Sequence, residues 1–397
     1  MRYNLKKPNS FPDKNEELFL SLLLSEQSDF LNLWQEWKSK IRFDDMDHAT
    51  LRLIPLLYLR LKDFDINDEI IGRIKGTYKL VWVKNQRLLS TTQSVVSMLE
   101  NHDIKVLLLK GIPLLIDVYK DTGSRFLSDV DIFIHPNDIK KAIKVMNQHG
   151  WIYKTNQFPD IDIFSDEQLS RIVKEITFIN NQRMEIDMHW RIFEYKGGKK
   201  NKDIMPFDQM WEYSNKIYHK NSCYRTLCPE DLLIHIIVHG AEGSTIKSLR
   251  FVIDSVYVIK NYKIDWNLFI KKTQQYNFNA DIYIAFNYMQ DKGFIQLPDK
   301  IIKSILNIPL SKKMLKDYYR KSDTIHQPFG GFFRLWRNYW HFESKSYSLV
   351  GLYYFVEYFR KALGINSKRD LFIFIANKYK TRLLYYKNKL FSNRFYR

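Results

Sequence analysis

The sequence contains little cysteine and no long apolar run, and these shortages exclude several classes of protein. Its 397 residues include only two cysteines, Cys223 and Cys228, which are too few for a disulfide framework, and no nearby residues complete a zinc site around them. No apolar run approaches the roughly 18 residues of a membrane span, and residues 1–17 lack the apolar core of a signal peptide. We therefore expect a cytoplasmic protein with no transmembrane segment, in which both cysteines are structural.

Glycine and acidic residues are also scarce. Only 14 glycines accompany 25 tyrosines, 27 phenylalanines and 9 tryptophans, a balance that favours packed helices over a loop-rich β protein. The 44 acidic residues face 62 lysines and arginines, which gives a net charge of +18. Such a basic surface attracts nucleotides, RNA, an acidic partner or an anionic membrane, although a solvated lysine-rich surface accounts for the charge equally well.

The periodicity of apolar residues divides the chain into three regions. A chain of this length exceeds one simple core, so we expect a helical region at 1–101, a region of short strands and helices at 102–200, and a second helical region at 201–397. Within the middle region, Ile176–Asn180 and Arg183–His189 are predicted to form a hairpin. The prediction is an α+β fold with a small mixed β-sheet core flanked by helical N-terminal and C-terminal regions.

Two aspartates, Asp129 and Asp131, stand at the start of an apolar strand that ends at Ile134. Side chains alternate along a strand, so both carboxylates point to one face, with Cα atoms roughly 6.5–7 Å apart. At a separation of about 5 Å and an effective dielectric constant near 20, two such charges repel by roughly 3 kcal/mol. A divalent cation bound by oxygen ligands is the usual way to offset that repulsion. Aspartates at a strand edge also cap turns, however, so the pair alone is weak evidence.

Lys110 and Gly111 follow a short apolar strand and open a predicted helix about twenty residues before the aspartate pair. Glycine allows a close approach of the backbone, and the amides at a helix N-terminus attract phosphate. A lysine at this position can pair with a triphosphate as a point charge. The junction is therefore a candidate phosphate-binding element.

A third carboxylate is expected from a neighbouring strand. Glu185 and Asp187 share one face of the second hairpin strand with His189. We favour Asp187 as the third carboxylate and leave Glu185 as the alternative. His189 could be a base, a phosphate contact or a packed histidine. Three carboxylates around one or two Mg²⁺ ions could activate an acceptor hydroxyl and neutralise a leaving pyrophosphate.

These motifs together resemble a known family. The segment LLKG, the segment YKDTGSRFLSDVDIFI and the later segment EIDMHWR look like the uncharacterised nucleotidyltransferase family, a bacterial family of the polymerase-β-like nucleotidyltransferase superfamily. The resemblance covers residues 45–260 approximately and includes HATLRLIPLLY, PEDLLIHIIVHG and LRFVID. One departure stands out, since the wider superfamily usually carries Gly-Ser at the end of the first strand, where Leu109, Lys110 and Gly111 lie here.

The resemblance implies a nucleotidyltransferase core and a metal-dependent enzyme. In that family the reaction is transfer of a nucleoside monophosphate from ATP or another nucleoside triphosphate, with Mg²⁺ or Mn²⁺ as cofactor and pyrophosphate as product. Asp129, Asp131 and Asp187 match the catalytic and metal-binding carboxylates. The positions that match substrate-binding and nucleotide-binding motifs are Lys110, Gly111, Arg125, Ser128, His189, Arg191 and His239.

The acceptor has no compact motif, so several functions stay open. The first is transfer to a small molecule, sugar or peptide. The second is an RNA-modifying or toxin-like nucleotidyltransferase that acts on tRNA, which the net charge permits. The third is a catalytically silent nucleotide-binding protein, and the presence of Asp129, Asp131 and Asp187 argues against it.

Two further patterns allow competing interpretations. His235 and His239 lie four residues apart on one predicted helix face, but no third metal ligand follows, so packing or substrate-facing roles are favoured over zinc. The basic, tyrosine-rich stretch Asn377–Arg397 suits RNA, an acidic partner or a membrane surface. An amphipathic helix packed on the body of the protein is the favoured alternative for that stretch.

Overall fold

A series of helices precedes the first strand. The computed structural model describes residues 8, 11–64, 66, 68–153, 165–172, 174–193, 205–241, 249–323, 356, 360, 365 and 367–376. Helix α1 begins with a capping box, in which Asp13 and Glu16 bind each other's backbone amides and so satisfy two of the free donors of the first turn. The helices of this series are α1 (Lys14–Leu24), α2 (Gln27–Lys40), α3 (His48–Leu51), α4 (Ile54–Leu61) and α5 (Glu69–Glu100), with a 3₁₀ turn at Phe43–Asp45.

Within the described residues, seven strands form one mixed sheet. Their order in space is β3-β4-β5-β2-β1-β7-β6; β2 is parallel to β5 and β1 is parallel to β7, whereas the other neighbours are antiparallel. The prediction of a mixed α+β fold is confirmed. The strands are β1 (Val106–Leu108), β2 (Val130–Ile134), β3 (Ile152–Tyr153), β4 (Glu175–Ile179), β5 (Glu185–His189), β6 (Asn215–His219) and β7 (Ser222–Thr226).

Helices flank the sheet on both faces. Gly111–Pro113 (α6) continues as a π-helical segment, Leu114–Tyr119. The remaining helices are α7 (Ile139–Gln148), preceded by a 3₁₀ turn at Pro136–Asp138, α8 (Asp166–Ile172), α9 (Phe207–Glu212), α10 (Pro229–Ala241), α11 (Arg250–Asn261), α12 (Trp266–Gln275), α13 (Asn279–Asp291), α14 (Asp299–Leu306) and α15 (Lys312–Asp323).

The hairpin β6–β7 joins the sheet from a part of the chain where the sequence predicted only helices. Ile217 in β6 and Tyr224 in β7 are buried, but most of their neighbours in the two strands remain partly or fully exposed. So few buried positions leave only a faint alternation of apolar and polar residues, which explains why the strands were missed. The division of the chain at residues 101 and 200 stays a prediction.

The two faces of the sheet contribute to different cores. Val130 and Ile132 pack in a core with residues of α5 and α7. Leu107 and Phe133 point to the opposite face and belong to a larger core. This core includes helices that precede the strands in the chain, α1, α2 and α4, and helices that follow them, α10 to α13. Because side chains alternate along β2, Asp131 shares the face of Phe133 and is directed toward the larger helical layer.

The first half of α5 leaves several apolar side chains exposed. Leu80, Trp82 and Val83 are 75%, 45% and 53% exposed, because only the second half of the helix packs on the sheet. The stretch Asn377–Arg397 lies outside the described residues. Within the part of the chain that the structure describes, no helix has the length and apolar character to traverse a lipid bilayer.

Candidate active site

The register of two parallel strands brings predicted site residues together. Asp131 in β2 lies opposite Asp187 in β5, and Phe133 lies opposite His189. Opposed residues of neighbouring strands point to the same face of a sheet. Asp129 precedes β2 by one residue, and its charge contributes to the raised pKa of Asp187. The three predicted carboxylates therefore share one region of the sheet.

Asp131 is buried and bound by two cationic side chains. Lys110 Nζ lies 2.5 Å and His189 Nε2 lies 2.9 Å from its Oδ1 atom. Burial alone would raise the pKa of Asp131, but the charges and hydrogen bonds of Lys110 and His189 outweigh burial and hold this pKa well below its usual range. Asp131 is consequently ionised at neutral pH.

His189 lies between two carboxylates. Its Nδ1 atom is 2.9 Å from Oε2 of Glu175, which stands opposite His189 in the register of β4 and β5. Burial would lower the pKa of His189, but Asp131 and Glu175 outweigh burial and raise it. The sequence had not marked Glu175 as a site residue. Glu175 lies one residue before the predicted hairpin strand Ile176–Asn180, and only the strand register shows that it meets His189.

Asp129 and Asp187 are bound by hydroxyl groups, and within the described residues neither forms an ion pair. Ser128 Oγ donates to Asp129 Oδ1 at 2.9 Å, and Thr177 Oγ1 donates to Asp187 Oδ1 at 2.6 Å. Burial and the charge of Asp131 raise the pKa of Asp129, and burial with the charges of Asp131 and Asp129 raises that of Asp187. The site therefore contains more negative charge than its lysine and histidine neutralise.

The junction between β1 and α6 has an unusual backbone. Lys110 adopts φ +51° and ψ −108°, a region that costs a non-glycine residue about 1–3 kcal/mol. A Cβ atom on Gly111 would lie 2.5 Å from Leu127 Cδ2 and 3.0 Å from Arg125 Nη1, so a larger residue would have to displace these side chains. The close approach at Gly111 is made by the chain's own side chains, and the role of Gly111 in phosphate binding stays a prediction.

Arg125 is held by a buried carboxylate. Its Nε and Nη2 atoms donate to the two oxygens of Asp254 at 3.0 and 2.8 Å, and Tyr119 donates to the same carboxylate at 2.7 Å. Burial would lower the pKa of Arg125, but Asp254 outweighs burial and raises it. Two of its nitrogens therefore anchor α11 to the segment before β2, while Nη1 lies on the side of Gly111.

The other predicted residues occupy the margin of this group. Ser128 is exposed and Arg191 is buried. His239 borders solvent, but protein atoms also surround its ring, as expected of a side chain that lines a recess. This burial and the charge of Lys110 lower the pKa of His239 to about 4. The ring of His235 stacks on that of His239, with centroids 5.9 Å apart. Both histidines on α10 are close enough to Lys110 for its charge to lower their pKa values.

The comparison with protein families decides the family of the chain. The sequence model of a family described as "Uncharacterised nucleotidyltransferase" matches residues 48–291, more than half of the chain. The chain belongs to this family. The match includes the seven strands found in the described residues and every residue predicted for the site. Its description indicates nucleotidyltransferase activity, that is, a transferase with a nucleoside triphosphate as substrate. No curated protein matches the chain.

Nucleotidyltransferases generally use divalent metal ions, which prefer oxygen ligands such as carboxylates. Among the described residues, no three or more His, Cys, Asp or Glu side chains are arranged as a ready-made metal site. The chemistry of the group nevertheless fits. Asp129, Asp131 and Asp187 supply hard oxygen donors, and the raised pKa values of Asp129 and Asp187 reflect a concentration of negative charge that a cation would relieve.

Proposed function

We propose that the protein is a polymerase-β-like nucleotidyltransferase that transfers a nucleoside monophosphate from a nucleoside triphosphate to an acceptor and releases pyrophosphate. The observation that supports this proposal most is the register of β2 and β5, which sets Asp131 opposite Asp187 next to Asp129. The three carboxylates would hold Mg²⁺ or Mn²⁺, which supplies charge neutralisation for the phosphates and acidifies the acceptor hydroxyl.

The chain's own residues divide the remaining tasks. The acceptor oxygen attacks the α-phosphorus, a new P–O bond forms, and the bond from the α-phosphorus to the bridging oxygen of the leaving pyrophosphate breaks. Asp187 is the proposed proton acceptor and orients the acceptor hydroxyl, because its raised pKa suits proton uptake and Thr177 fixes one of its two oxygens. Lys110, Arg125 and the amides near Gly111 contribute positive charge and donors to the phosphates.

The test is nucleotide transfer by purified variants. Wild-type protein is incubated with each labelled nucleoside triphosphate, Mg²⁺ and a cell extract, and the labelled product is identified. Asp129→Asn and Asp131→Asn are expected to abolish Mg²⁺-dependent consumption of the triphosphate. Asp103→Asn is the matched control, because Asp103 is exposed and has a φ of +54° that asparagine adopts equally well. Full turnover by either site variant would contradict the proposal.

The acceptor is proposed to be a small molecule, sugar or peptide, with tRNA or another RNA as the alternative. The net charge of +18 favours keeping the RNA alternative. Binding of tRNA should then weaken steeply as salt rises, since phosphate contacts release counterions. Absence of RNA binding at low salt would remove this alternative. A bacterial source, a cytoplasmic location and the binding of ATP remain predictions from the sequence.

A further inference from the structure

Three cationic side chains outside the sheet converge on the segment before β2. Lys84 of α5 places Nζ 4.6 Å from the centroid of the Phe126 ring, and Cζ of Arg52, the residue after α3, lies 5.6 Å from the same centroid. Arg250, the first residue of α11, donates from Nη1 to the carbonyl oxygen of Phe126 at 3.0 Å. Three separate helical elements therefore direct positive charge to one short segment.

These three side chains differ from Arg125 in their partners. Arg125 is neutralised by a bidentate bond to Asp254. Within the described residues, Arg52, Lys84 and Arg250 form no ion pair, although all three are partly buried. The Nε atom of Arg52 is shielded from solvent and has no hydrogen-bond partner. The Nε–H group of Arg52 and three positive charges are thus available to a ligand in a partly buried region.

The charges also oppose one another. Burial and the charge of the neighbouring Arg125 together lower the pKa of Arg250 to about 10, although Asp254 opposes the shift. Burial and the charge of Arg125 lower the pKa of Arg52, and Asp129 opposes that shift. Burial and the charge of Arg52 lower the pKa of Lys84, and Asp129 opposes that shift too. Like charges at such separations destabilise the folded state unless an anion joins them. Asp129 and Glu185 supply two negative charges near these three cations, and Asp254 is already bound by Arg125, so the cluster keeps a net positive charge.

We propose that Arg52, Lys84 and Arg250 form a binding site for a pyrophosphate group, the two terminal phosphates of the substrate triphosphate. The inference rests on the proposed function and deepens it. A pyrophosphate group carries enough charge to match three cations, whereas a carboxylate or a lone monophosphate does not. Guanidinium groups also bind phosphate oxygens in a bidentate manner. The site borders Asp129, so the leaving group would be held beside the metal-binding carboxylates.

The direct test is calorimetric binding of inorganic pyrophosphate to the full chain in the presence of a chelator, with inorganic phosphate and ATP as parallel ligands. Arg52→Gln, Lys84→Gln and Arg250→Gln are each expected to weaken pyrophosphate binding by at least about tenfold, since each removes a charged contact. Inorganic phosphate is expected to bind more weakly than pyrophosphate. Displacement of ATP by pyrophosphate would support the assignment to the terminal phosphates, and binding of both ligands together would contradict it.

Matched controls come from the same molecule. Lys75→Gln and Arg87→Gln change exposed residues of α5 with the same loss of charge, and they should leave pyrophosphate affinity unchanged. Arg250→Gln also removes a bond to the backbone, so thermal unfolding is measured for every variant, and Lys84→Gln, which loses no hydrogen bond, decides the case. Equal affinities in Lys84→Gln, Arg52→Gln and the two controls would overturn the inference.

The outcome separates this inference from the proposed function. Asp129→Asn removes catalysis under the proposed function, but it removes a negative charge beside the site and should preserve or strengthen pyrophosphate binding. Turnover without any effect of the cationic variants on pyrophosphate binding would refute the inference alone. Pyrophosphate binding that depends on the three cations, in a protein with no nucleotide transfer, would refute the proposed function alone.

Discussion

Asp131 and Asp231 are both buried carboxylates in contact with a lysine, yet their surroundings differ. Asp231 of α10 pairs with Lys272 of α12 and accepts a hydrogen bond from Cys228 Sγ at 3.0 Å. Burial there outweighs Lys272 and raises the pKa of Asp231. Asp131 has two cationic partners, Lys110 and His189, and its pKa is lowered despite burial.

The difference separates a structural pair from a candidate site. The cluster around Asp231 has one lysine for its carboxylate and joins two helices, so nothing further is needed to balance its charge. Around Asp131, two more aspartates lie nearby with raised pKa values and no ion pair within the described residues. A buried surplus of charge costs free energy, and a protein retains it where a ligand is to be bound.

The largest expected effect in this comparison comes from a change at Asp187. Asp187→Asn is expected to reduce nucleotide transfer by at least about a thousandfold, a loss of about 4 kcal/mol of transition-state stabilisation. Its free energy of unfolding should change little, because the change relieves repulsion with Asp131 and Asp129. Transfer rates and chemical denaturation measure the two effects.

Glu185→Gln is the matched control for that prediction. Glu185 lies two residues before Asp187 on the same face of β5. It is expected to retain most of the transfer activity. The reverse result, an active Asp187→Asn protein and an inactive Glu185→Gln protein, would identify Glu185 as the third carboxylate.

The second prediction concerns the structural pair. Lys272→Met removes the cation from Asp231 and should lower the free energy of unfolding by about 3 kcal/mol, because a buried carboxylate is left without its partner. Denaturant titration measures the loss. Replacing both residues, Asp231→Leu with Lys272→Met, should recover most of it, since an apolar pair needs no charge partner. Equal destabilisation in the single and double variants would contradict this explanation.

The fold class and the carboxylate strands could be predicted because their signals are local. Asp129 and Asp131 precede a continuous apolar strand, and the hairpin that carries Asp187 is marked by turn residues. Each of these two signals is contained within a short stretch of the chain. The family motifs added the pairing of these distant segments, which periodicity alone does not supply.

The rest depended on contacts between distant parts of the chain. Glu175 meets His189 through the register of β4 and β5, but it lies just before the predicted strand Ile176–Asn180, so the sequence did not pair these two residues. Arg52, Lys84 and Arg250 come from three helical elements and meet only after folding. Arg125 was predicted as a nucleotide contact from its motif, and its bond to Asp254, 129 residues away, could not be inferred.

The smallest predicted effect uses the two cysteines. Burial and Asp231 raise the pKa of Cys228 to about 12, whereas an unfolded thiol titrates near 8.5. A folded-state pKa above the unfolded value means that this contribution to stability is complete below about pH 8.5 and is lost as pH rises toward 12. We expect the free energy of unfolding to fall by about 1 kcal/mol between pH 7.5 and 9.5 from this thiol. Cys228→Ala should lack that part of the slope.

Cys223→Ala is the control, because Cys223 is exposed and should leave the slope intact. Alkylation with iodoacetamide at pH 8 gives an independent measurement on the wild-type chain. Cys223 should be modified readily, while Cys228 stays protected as a buried, neutral thiol. Rapid alkylation of both thiols in the folded protein would show that the cluster around Asp231 is open to solvent. That result would remove the burial on which the raised pKa of Cys228 depends.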